Sequence, residues 1–390
     1  MDPTATVKAS EIMLDFARIT GLEPAADLPK RYLWTDAFAV CNFLGLFEKT
    51  CDPLWRDLAL RLVDQVHGTL GRHRDDDPRK GWISRLPEDE GRLHPTRGGL
   101  RIGKSLPEHQ PGEPYNDRLE WDQDGQYFHY LTKWMHALNQ ASRVTGDPKY
   151  AGWAIELAEA AYNSFIYRST PGSVPRMFWK MSIDLSRPLV PSMGQHDPLD
   201  GFITFSELRL SATKTGGEPS QPVLDREIAG IAGICKGMSL ATDDPLGTGG
   251  LLSDASRLAQ LMIMGGKGYG NLLDSVVDSA IPGVRSFASG NNIAAPPDYR
   301  LAFRELGLSI GLKGVGPLLE WIEQKPEIFG PRGSLHQRVK ALTTYEPLGR
   351  SIEVFWQTER SQRVGTWREH REINMIMLAT SLAPEGFLKV

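Results

Sequence analysis

Apolar side chains recur at three- and four-residue spacing along most of this 390-residue sequence. An amphipathic helix requires that spacing, because residues three and four apart share one face of a helix with 3.6 residues per turn. The segments that follow it best are 32–48, 54–70, 126–145, 149–166, 223–240, 251–264, 300–311, 315–323, 334–344 and 371–382. Strand-like alternation is rare, with 202–205 and 352–356 the best cases. The sequence therefore predicts a mostly α-helical protein.

Asp-Pro pairs separate several of these segments. Aspartate is a preferred cap of a helix N-terminus, and proline is tolerated in the first helical turn. Gly146 precedes one pair and suits the end of the preceding helix. The pairs begin at Asp52, Asp147, Asp197 and Asp244. Their regular recurrence predicts repeated helical hairpins.

Charge and cysteine content narrow the functional classes. The net charge is −4, with Lys and Arg scattered among Asp and Glu, so neither a nucleic-acid nor a membrane partner is predicted. Cys41, Cys51 and Cys235 lack the spacing of a disulfide framework or a zinc site. Residues 1–8 lack signal-peptide features, and no run approaches the roughly 20 apolar residues of a membrane span. A cytoplasmic protein is expected.

Length and loop content predict the domain organisation. Hydrophobic residues make up 41% of the chain, enough for a large core. Because closed helical architectures often reach this length as one unit, a single domain over residues 1–390 is expected. Two long polar insertions, 71–120 and 168–198, interrupt the helical pattern. Loops of this length inside a domain are usually functional or disordered, and the apolar side chains of the second indicate an ordered loop.

The segment 119–136 carries the densest set of polar and aromatic residues, at the beginning of a helix. One aspartate would serve as a helix cap. The remaining residues exceed what a cap needs, so they are predicted to line a ligand site. The candidates are Trp121, Asp122, Asp124, Gln126 and His129.

A second set lies in segment 176–200, ahead of another helix. Asp197 is either a cap before Pro198 or a functional carboxylate. The candidates here are Trp179, Lys180, Arg187, Gln195, His196 and Asp197.

Two further helix beginnings pair tryptophan with charged residues. Trp34 and Asp36 begin the first strong helix, and Trp367 and His370 precede the last, with Glu372 in reserve. Sugar rings stack their apolar faces on indole, and their hydroxyls bond to carboxylates, amides and arginine. The four sets together therefore predict a carbohydrate site.

The helical hairpins and these four helix beginnings resemble the six-hairpin glycosidase-like (α/α)6 toroids over about residues 30–385. The four runs are RYLWTD, LEWDQDGQ, RMFWKMSIDLS and TWREHREIN. The resemblance implies an all-α toroid of hairpins whose long loops line a central cavity. The superfamily includes inverting glycoside hydrolases and the N-acylglucosamine 2-epimerase and cellobiose epimerase group. Trp367 to Arg371 is partly similar to an element that carries a catalytic histidine in the epimerase group, with the arginine displaced.

Three functions stay open on the sequence. An inverting hydrolase would use Asp124 and Asp197 as acid and base, with Asp122 in reserve. Its tryptophans would stack a small intracellular saccharide, while Gln126, Lys180 and Arg187 would hold hydroxyls or an anionic substituent.

The second reading is a sugar epimerase or isomerase that uses His129, His196 and His370 as acid/base groups. The third is a terpenoid-cyclase-like or non-catalytic toroid, in which Asp75–Asp77 would face a diphosphate with magnesium. No cofactor or metal is demanded by any spacing, and the oligomeric state is left open.

Overall fold

Helices account for nearly all regular structure in the computed structural model, which describes residues 3–170, 173–214, 223–290 and 292–390. The helices are α1 (Pro3–Ile19), α2 (Leu33–Thr50), α3 (Pro53–Leu70), α4 (Glu88–Leu93), α5 (Asp117–Glu120), α6 (Phe128–Thr145), α7 (Pro148–Phe165), α8 (Asp197–Lys214), α9 (Asp225–Cys235), α10 (Pro245–Ile263), α11 (Gly270–Ser289), α12 (Ala302–Lys313), α13 (Val315–Gln324), α14 (Pro326–Phe329), α15 (Ser334–Thr343), α16 (Glu346–Trp356), α17 (Glu359–Gln362), α18 (Gly365–Arg368), α19 (Arg371–Leu382) and α20 (Glu385–Leu388). The short strands are β1 (Gln126–Tyr127), β2 (Ile166–Tyr167), β3 (Arg176–Met177), β4 (Lys180–Met181) and β5 (Pro188–Val190). The all-α class predicted from the sequence is confirmed.

The chain divides into two compact units, one of residues 17–238 and one of residues 1–16 with 239–390. The first contains both long loop segments, and the second contains α10 to α20. No helix within the described ranges is both long enough and apolar enough to cross a membrane.

In the 17–238 unit, α6 packs against α2 and α8, and each of these helices is followed by a return helix. Side-chain contacts show the directions: Tyr32 meets Tyr130 near the beginnings of α2 and α6, and Glu48 pairs with Arg143 near their ends. The partners are 98 residues apart in the first contact and 95 residues apart in the second. Because this separation stays nearly constant, α2 and α6 run parallel. α6 and α8 are also parallel, since α6 meets α8 at His129–Asp197 and again at His136–Glu207.

The unit of residues 1–16 and 239–390 repeats this construction. α12 packs between α10 and α19. Arg304 pairs with Asp244 at the beginning of α10, and the Phe303 amide donates to Asn374 at the beginning of α19. Ser381 then contacts Ser309 further along both helices, so α12 and α19 are parallel. The helical hairpins predicted from the sequence are confirmed within each unit, and their closure into a ring stays a prediction.

The predicted Asp-Pro helix starts are confirmed at three positions. Asp52, Asp147 and Asp244 each accept a hydrogen bond from a backbone N–H of the first turn. Gly146 ends α6 with a φ of 73°, a conformation that glycine adopts at little cost. α8 includes Asp197 as its first residue.

Two local predictions are wrong. Neither Asp122 nor Asp124 caps α6, because this helix begins after Tyr127 and has no side-chain cap. Residues 202–205 and 352–356 lie in α8 and α16 instead of strands. Residues 202–206 are all buried, and a short apolar run that is buried on every side has no period that separates strand from helix.

Short strands order the 168–198 loop. β4 pairs antiparallel with both β1 and β5, and β2 pairs with β3. The β1–β4 pairing places Lys180 opposite Tyr127 and so brings the 168–198 loop to the beginning of α6.

Candidate active site

Aromatic side chains gather at the beginnings of α2, α6 and α8 in the 17–238 unit. Tyr127 and Tyr130 lie 5.2 Å apart by ring centroid, and Tyr127 lies 5.3 Å from Trp179. Trp179 in turn contacts Trp121 edge to face at 4.9 Å. We call the aromatic cluster the set Tyr32, Trp121, Tyr127, His129, Tyr130 and Trp179. Its position follows from the parallel run of the three helices, which puts their first turns at one end of the unit.

Trp121 and Trp179 supply accessible aromatic surface. Trp121 is 54% exposed, and Trp179 is half-buried. An exposed indole beside a second one is a platform on which the apolar face of a sugar ring stacks. The predicted stacking role of these two tryptophans is compatible with their positions.

His129 and Asp197 form a pair across the first turns of α6 and α8. Asp197 Oδ2 lies 3.5 Å from His129 Nδ1, and neither atom has a hydrogen-bond partner in the described residues. The imidazole stacks near Tyr127 at 5.3 Å and Trp179 at 6.3 Å. Asp197 is buried and His129 is half-buried. The arrangement is that of an imidazole oriented by a carboxylate, with part of the ring open to solvent.

Tyr32 and Tyr130 bring their hydroxyl oxygens to 2.5 Å. Burial raises the pKa of Tyr32 to about 12, and burial raises the pKa of Tyr130 well above its ordinary value. Lys104 places its ammonium 5.5 Å from the Tyr32 ring centroid. Burial lowers the pKa of Lys104, with Asp122 and Asp124 acting in the opposite direction. The hydroxyl pair is therefore a protonated donor group beside an amine.

Asp124 is fully buried beneath the loop of residues 101–104. It accepts hydrogen bonds from Arg101 Nη1 at 2.6 Å and from the backbone N–H of Gly103 at 3.0 Å. It also accepts from the backbone N–H of Lys104 and Gly125. These contacts hold residues 101–104 in place, which favours a structural role for Asp124.

Gln126 and Lys180 are also buried and fully engaged. Gln126 accepts from the Leu100 N–H and donates to the carbonyls of Gly98 and Ile183. Lys180 Nζ donates to Glu120 Oε1 at 2.7 Å and to two backbone carbonyls. Burial lowers the pKa of Lys180, and Glu120 opposes that shift. These contacts connect the 71–120 loop with the 168–198 loop, which favours a structural role for both side chains.

Trp34 and Asp36 lie in the buried first turn of α2. Trp34 packs on Phe38 at 4.7 Å. Asp36 accepts from the Tyr32 N–H and lies 3.5 Å from Arg31 Nη1. Burial raises the pKa of Asp36 to about 6, although Arg31 opposes the shift. Asp36 thereby holds the backbone of Tyr32, a member of the aromatic cluster.

The other candidates of this unit are more exposed. Asp122 and Gln195 are exposed, and His196 is half-buried just before α8. Arg187 donates to the His109 carbonyl and lines a cleft of about 410 Å³ in the long loops.

The predicted acidic triplet lies near the same cleft. Asp76 pairs with Arg74 and Asp77 pairs with Arg79, so two of the three carboxylates form ion pairs with arginine. Across the described ranges, no group of three or more His, Cys, Asp or Glu side chains is arranged to hold a metal ion.

Trp367 and His370 belong to the 239–390 unit. Trp367 is buried and stacks on Trp356 at 5.7 Å. His370 precedes α19 and contacts Phe303 edge to face at 5.6 Å. Their participation in a ligand site stays a prediction.

Sequence reasoning missed Tyr32, Tyr130 and Lys104. The signal for the tyrosines was present, because each lies at the start of a strongly periodic helical segment. Lys104 had no such signal, since it stands in a long loop whose path depends on the buried Asp124 carboxylate.

No protein-family model matches this chain, and no curated protein sequence matches it. Among solved structures, it is similar to a sugar epimerase from a ruminal bacterium, with a TM-score of 0.48 and 9% identity over 91% of this chain and 89% of the other. It is also similar to the cellobiose 2-epimerase of Spirochaeta thermophila, with a TM-score of 0.47 and 11% identity over 90% and 98%. Both TM-scores are below 0.5, so the assignment of an activity depends on the site itself.

Proposed function

We propose that this chain is a sugar epimerase or isomerase in which His129 transfers a proton at the carbon next to the carbonyl of a reducing sugar. Asp197 would position the His129 ring. The observation that carries the proposal is the His129–Asp197 pair at the aromatic cluster, where Nδ1 and Oδ2 lie 3.5 Å apart and neither atom has a hydrogen-bond partner among the described residues.

The pair has the features of a general acid/base. Histidine exchanges protons near neutral pH, and a neighbouring carboxylate orients the ring and stabilises its protonated form. Catalytic hydrogen bonds are often long without substrate and tighten in the complex, so a separation of 3.5 Å suits this role. The exposed Trp121 face would hold the sugar against the imidazole.

The inverting-hydrolase reading has less support. It needs two carboxylates on opposite sides of a glycosidic bond, one protonated and one activating water. Asp197 lies beside His129, whereas both oxygens of Asp124 accept hydrogen bonds from the loop around residues 101–104 and from Gly125. Proton transfer next to a carbonyl needs an acid/base group, and His129 of the aromatic cluster, with Asp197 beside it, supplies one.

The test is hydrogen exchange into sugars. Purified protein is incubated in D₂O with reducing mono- and disaccharides, and NMR follows the loss of the proton at C2 and the appearance of an epimer or ketose. We expect exchange with the wild type and a loss of at least about 100-fold in H129N, the usual scale for removing a general acid/base. We expect a smaller loss in D197N, because Asp197 acts through His129.

Two controls match these variants. H94N breaks a histidine–carboxylate pair between His94 and Glu156, outside the aromatic cluster. D225N removes an exposed aspartate from the first turn of α9. Both should retain the activity. Release of reducing sugar from oligosaccharides without C2 exchange would overturn the proposal in favour of a hydrolase.

A further inference from the structure

Two tyrosine hydroxyls lie within hydrogen-bond distance of each other at the aromatic cluster. Tyr32 immediately precedes α2, and Tyr130 lies in the first turn of α6. Their oxygens are 2.5 Å apart, and this is the only hydrogen bond of either hydroxyl among the described residues. Only one proton can lie between the two oxygens, so the second hydroxyl proton is available to a ligand.

From this geometry we infer that Tyr32 and Tyr130 donate a hydrogen bond to the carbonyl oxygen of the open-chain sugar and stabilise the negative charge that develops on it. This inference rests on the proposed epimerase or isomerase function. A hydroxyl that itself accepts a hydrogen bond is a stronger donor, because hydrogen bonds in a chain polarise one another.

Two sources of positive potential lie near the pair. Lys104 holds its ammonium 5.5 Å from the Tyr32 ring centroid. The beginnings of α2 and α6 both lie at the pair, and a helix N-terminus carries the positive end of the helix dipole. The ring of His129, the proposed base, lies 4.8 Å from the Tyr130 ring by centroid. Donor and base are therefore next to each other.

The proton balance is complete without another reactant. His129 takes the proton from C2, the C–H electron pair forms the C1–C2 double bond, and the carbonyl π pair moves onto O1. The tyrosine hydroxyl donates to that oxyanion. Rotation of the enediolate about its C2–C3 bond turns the opposite face of C2 toward the His129 imidazolium, which returns the proton there and gives the epimer. Return of the proton to C1 instead, with the O2 hydroxyl proton transferred to O1, gives the ketose.

The test compares Y32F and Y130F with the wild type in the same D₂O assay. Each variant keeps its ring and loses only the hydroxyl. Removal of one donor to a developing oxyanion typically lowers kcat about 100- to 1000-fold. We expect a loss of that size, with KM changed by less than about threefold, because the donor acts on charge formed in the transition state.

A binding measurement gives a readout besides turnover. Gluconohydroxamate holds two oxygens in one plane, as an enediolate does, whereas the hydroxyl groups of sorbitol are on tetrahedral carbons and form no such planar pair. Calorimetry should show that Y32F and Y130F lose affinity for the hydroxamate and keep their affinity for sorbitol. Y150F is the matched control, because Tyr150 is a buried tyrosine near the beginning of α7, packed on Trp153 at 5.4 Å.

The outcomes separate the two proposals. If H129N abolishes exchange while Y32F and Y130F keep kcat within about threefold, the tyrosine inference falls and the proposed function stands. If the wild type exchanges no sugar but binds the hydroxamate through the tyrosines, the proposed function falls and the oxyanion site stands. Absence of both exchange and hydroxamate binding in the wild type overturns both. A shared loss of Tm, kcat and sorbitol affinity would assign the pair to the packing of α2 on α6 and overturn the inference.

Discussion

At the scale of single residues, burial decides which carboxylates are available for chemistry. Asp124 and Asp36 are both buried, yet Asp124 accepts several hydrogen bonds whereas Asp36 Oδ1 accepts none. Arg31 lowers the pKa of Asp36, and burial outweighs this effect. The neutral form of Asp36 is therefore favoured in the folded protein up to about pH 6.

Asp36 should make folding stability depend on pH. Its pKa rises from 3.8 in the unfolded chain to about 6 in the fold, so the folded state binds the proton more tightly. The resulting stabilisation is complete below about pH 4 and is lost as the pH rises through 6. Between pH 4 and 7 we expect D36N to gain on the order of 2–3 kcal/mol relative to the wild type.

Urea unfolding of the wild type and D36N at several pH values measures this difference. D64N is a useful comparison, because desolvation also raises the pKa of Asp64 but the residue is exposed, so its gain should be smaller. Parallel stability curves for the wild type and D36N would contradict the pKa assigned to Asp36.

At the scale of elements, glycine controls how closely α10 and α12 approach. A Cβ atom at Gly249 would lie 2.0 Å from the carbonyl oxygen of Gly307, and one at Gly311 would lie 2.4 Å from the Gly249 carbonyl. These are backbone atoms, which cannot move aside as a flexible side chain can. The helix periodicity of residues 251–264 and 300–311 predicted both helices, but only the packed pair explains these glycines.

We therefore expect G249A to destabilise the protein by about 1–3 kcal/mol through overpacking. G250A is the matched control, because a Cβ atom there meets nothing within 4 Å and the residue is exposed. Alanine is a better helix former than glycine, so G250A should gain up to about 1 kcal/mol. Chemical unfolding of the wild type, G249A and G250A measures these differences in stability. Equal stability of G249A and G250A would show that α10 and α12 are not in close contact.

At the scale of the whole molecule, ligand class can be tested without assuming a reaction. A ligand that binds only the folded state stabilises it by about 2.7 kcal/mol at 100 times its Kd. We expect reducing sugars to raise the Tm and prenyl diphosphates with magnesium to leave it unchanged. Prenyl diphosphates should not bind, because Asp76 and Asp77 already pair with Arg74 and Arg79 and so are not available to magnesium.

Trp121 should carry part of the saccharide-induced shift. W121A is expected to lower saccharide affinity about tenfold through loss of a stacking face, with little change in the Tm of the free protein because Trp121 is 54% exposed. L54A is the control, since Leu54 is exposed at the beginning of α3, which follows the far end of α2. An undiminished shift in W121A would remove Trp121 from the binding surface.

Local sequence determined many of the helices and some of their starts, although it did not predict α1 or α11. The 3.6-residue period located α2, α3, α6 and α7, and Asp52 and Asp147 marked two helix starts, because caps and amphipathic faces depend on residues only a few positions apart. The same local signals directed attention to the polar segment 119–136, where His129 lies.

Only the tertiary structure decided which polar side chains share a site. Asp124 and Asp197 are equivalent in sequence terms, yet Arg101 and the loop amides occupy Asp124 while Asp197 meets His129. Tyr32 and Tyr130 are 98 residues apart, and the parallel packing of α2 and α6 is what joins their hydroxyls. The physical reason is that burial and long-range pairing depend on neighbours distant in the chain, which no local period encodes.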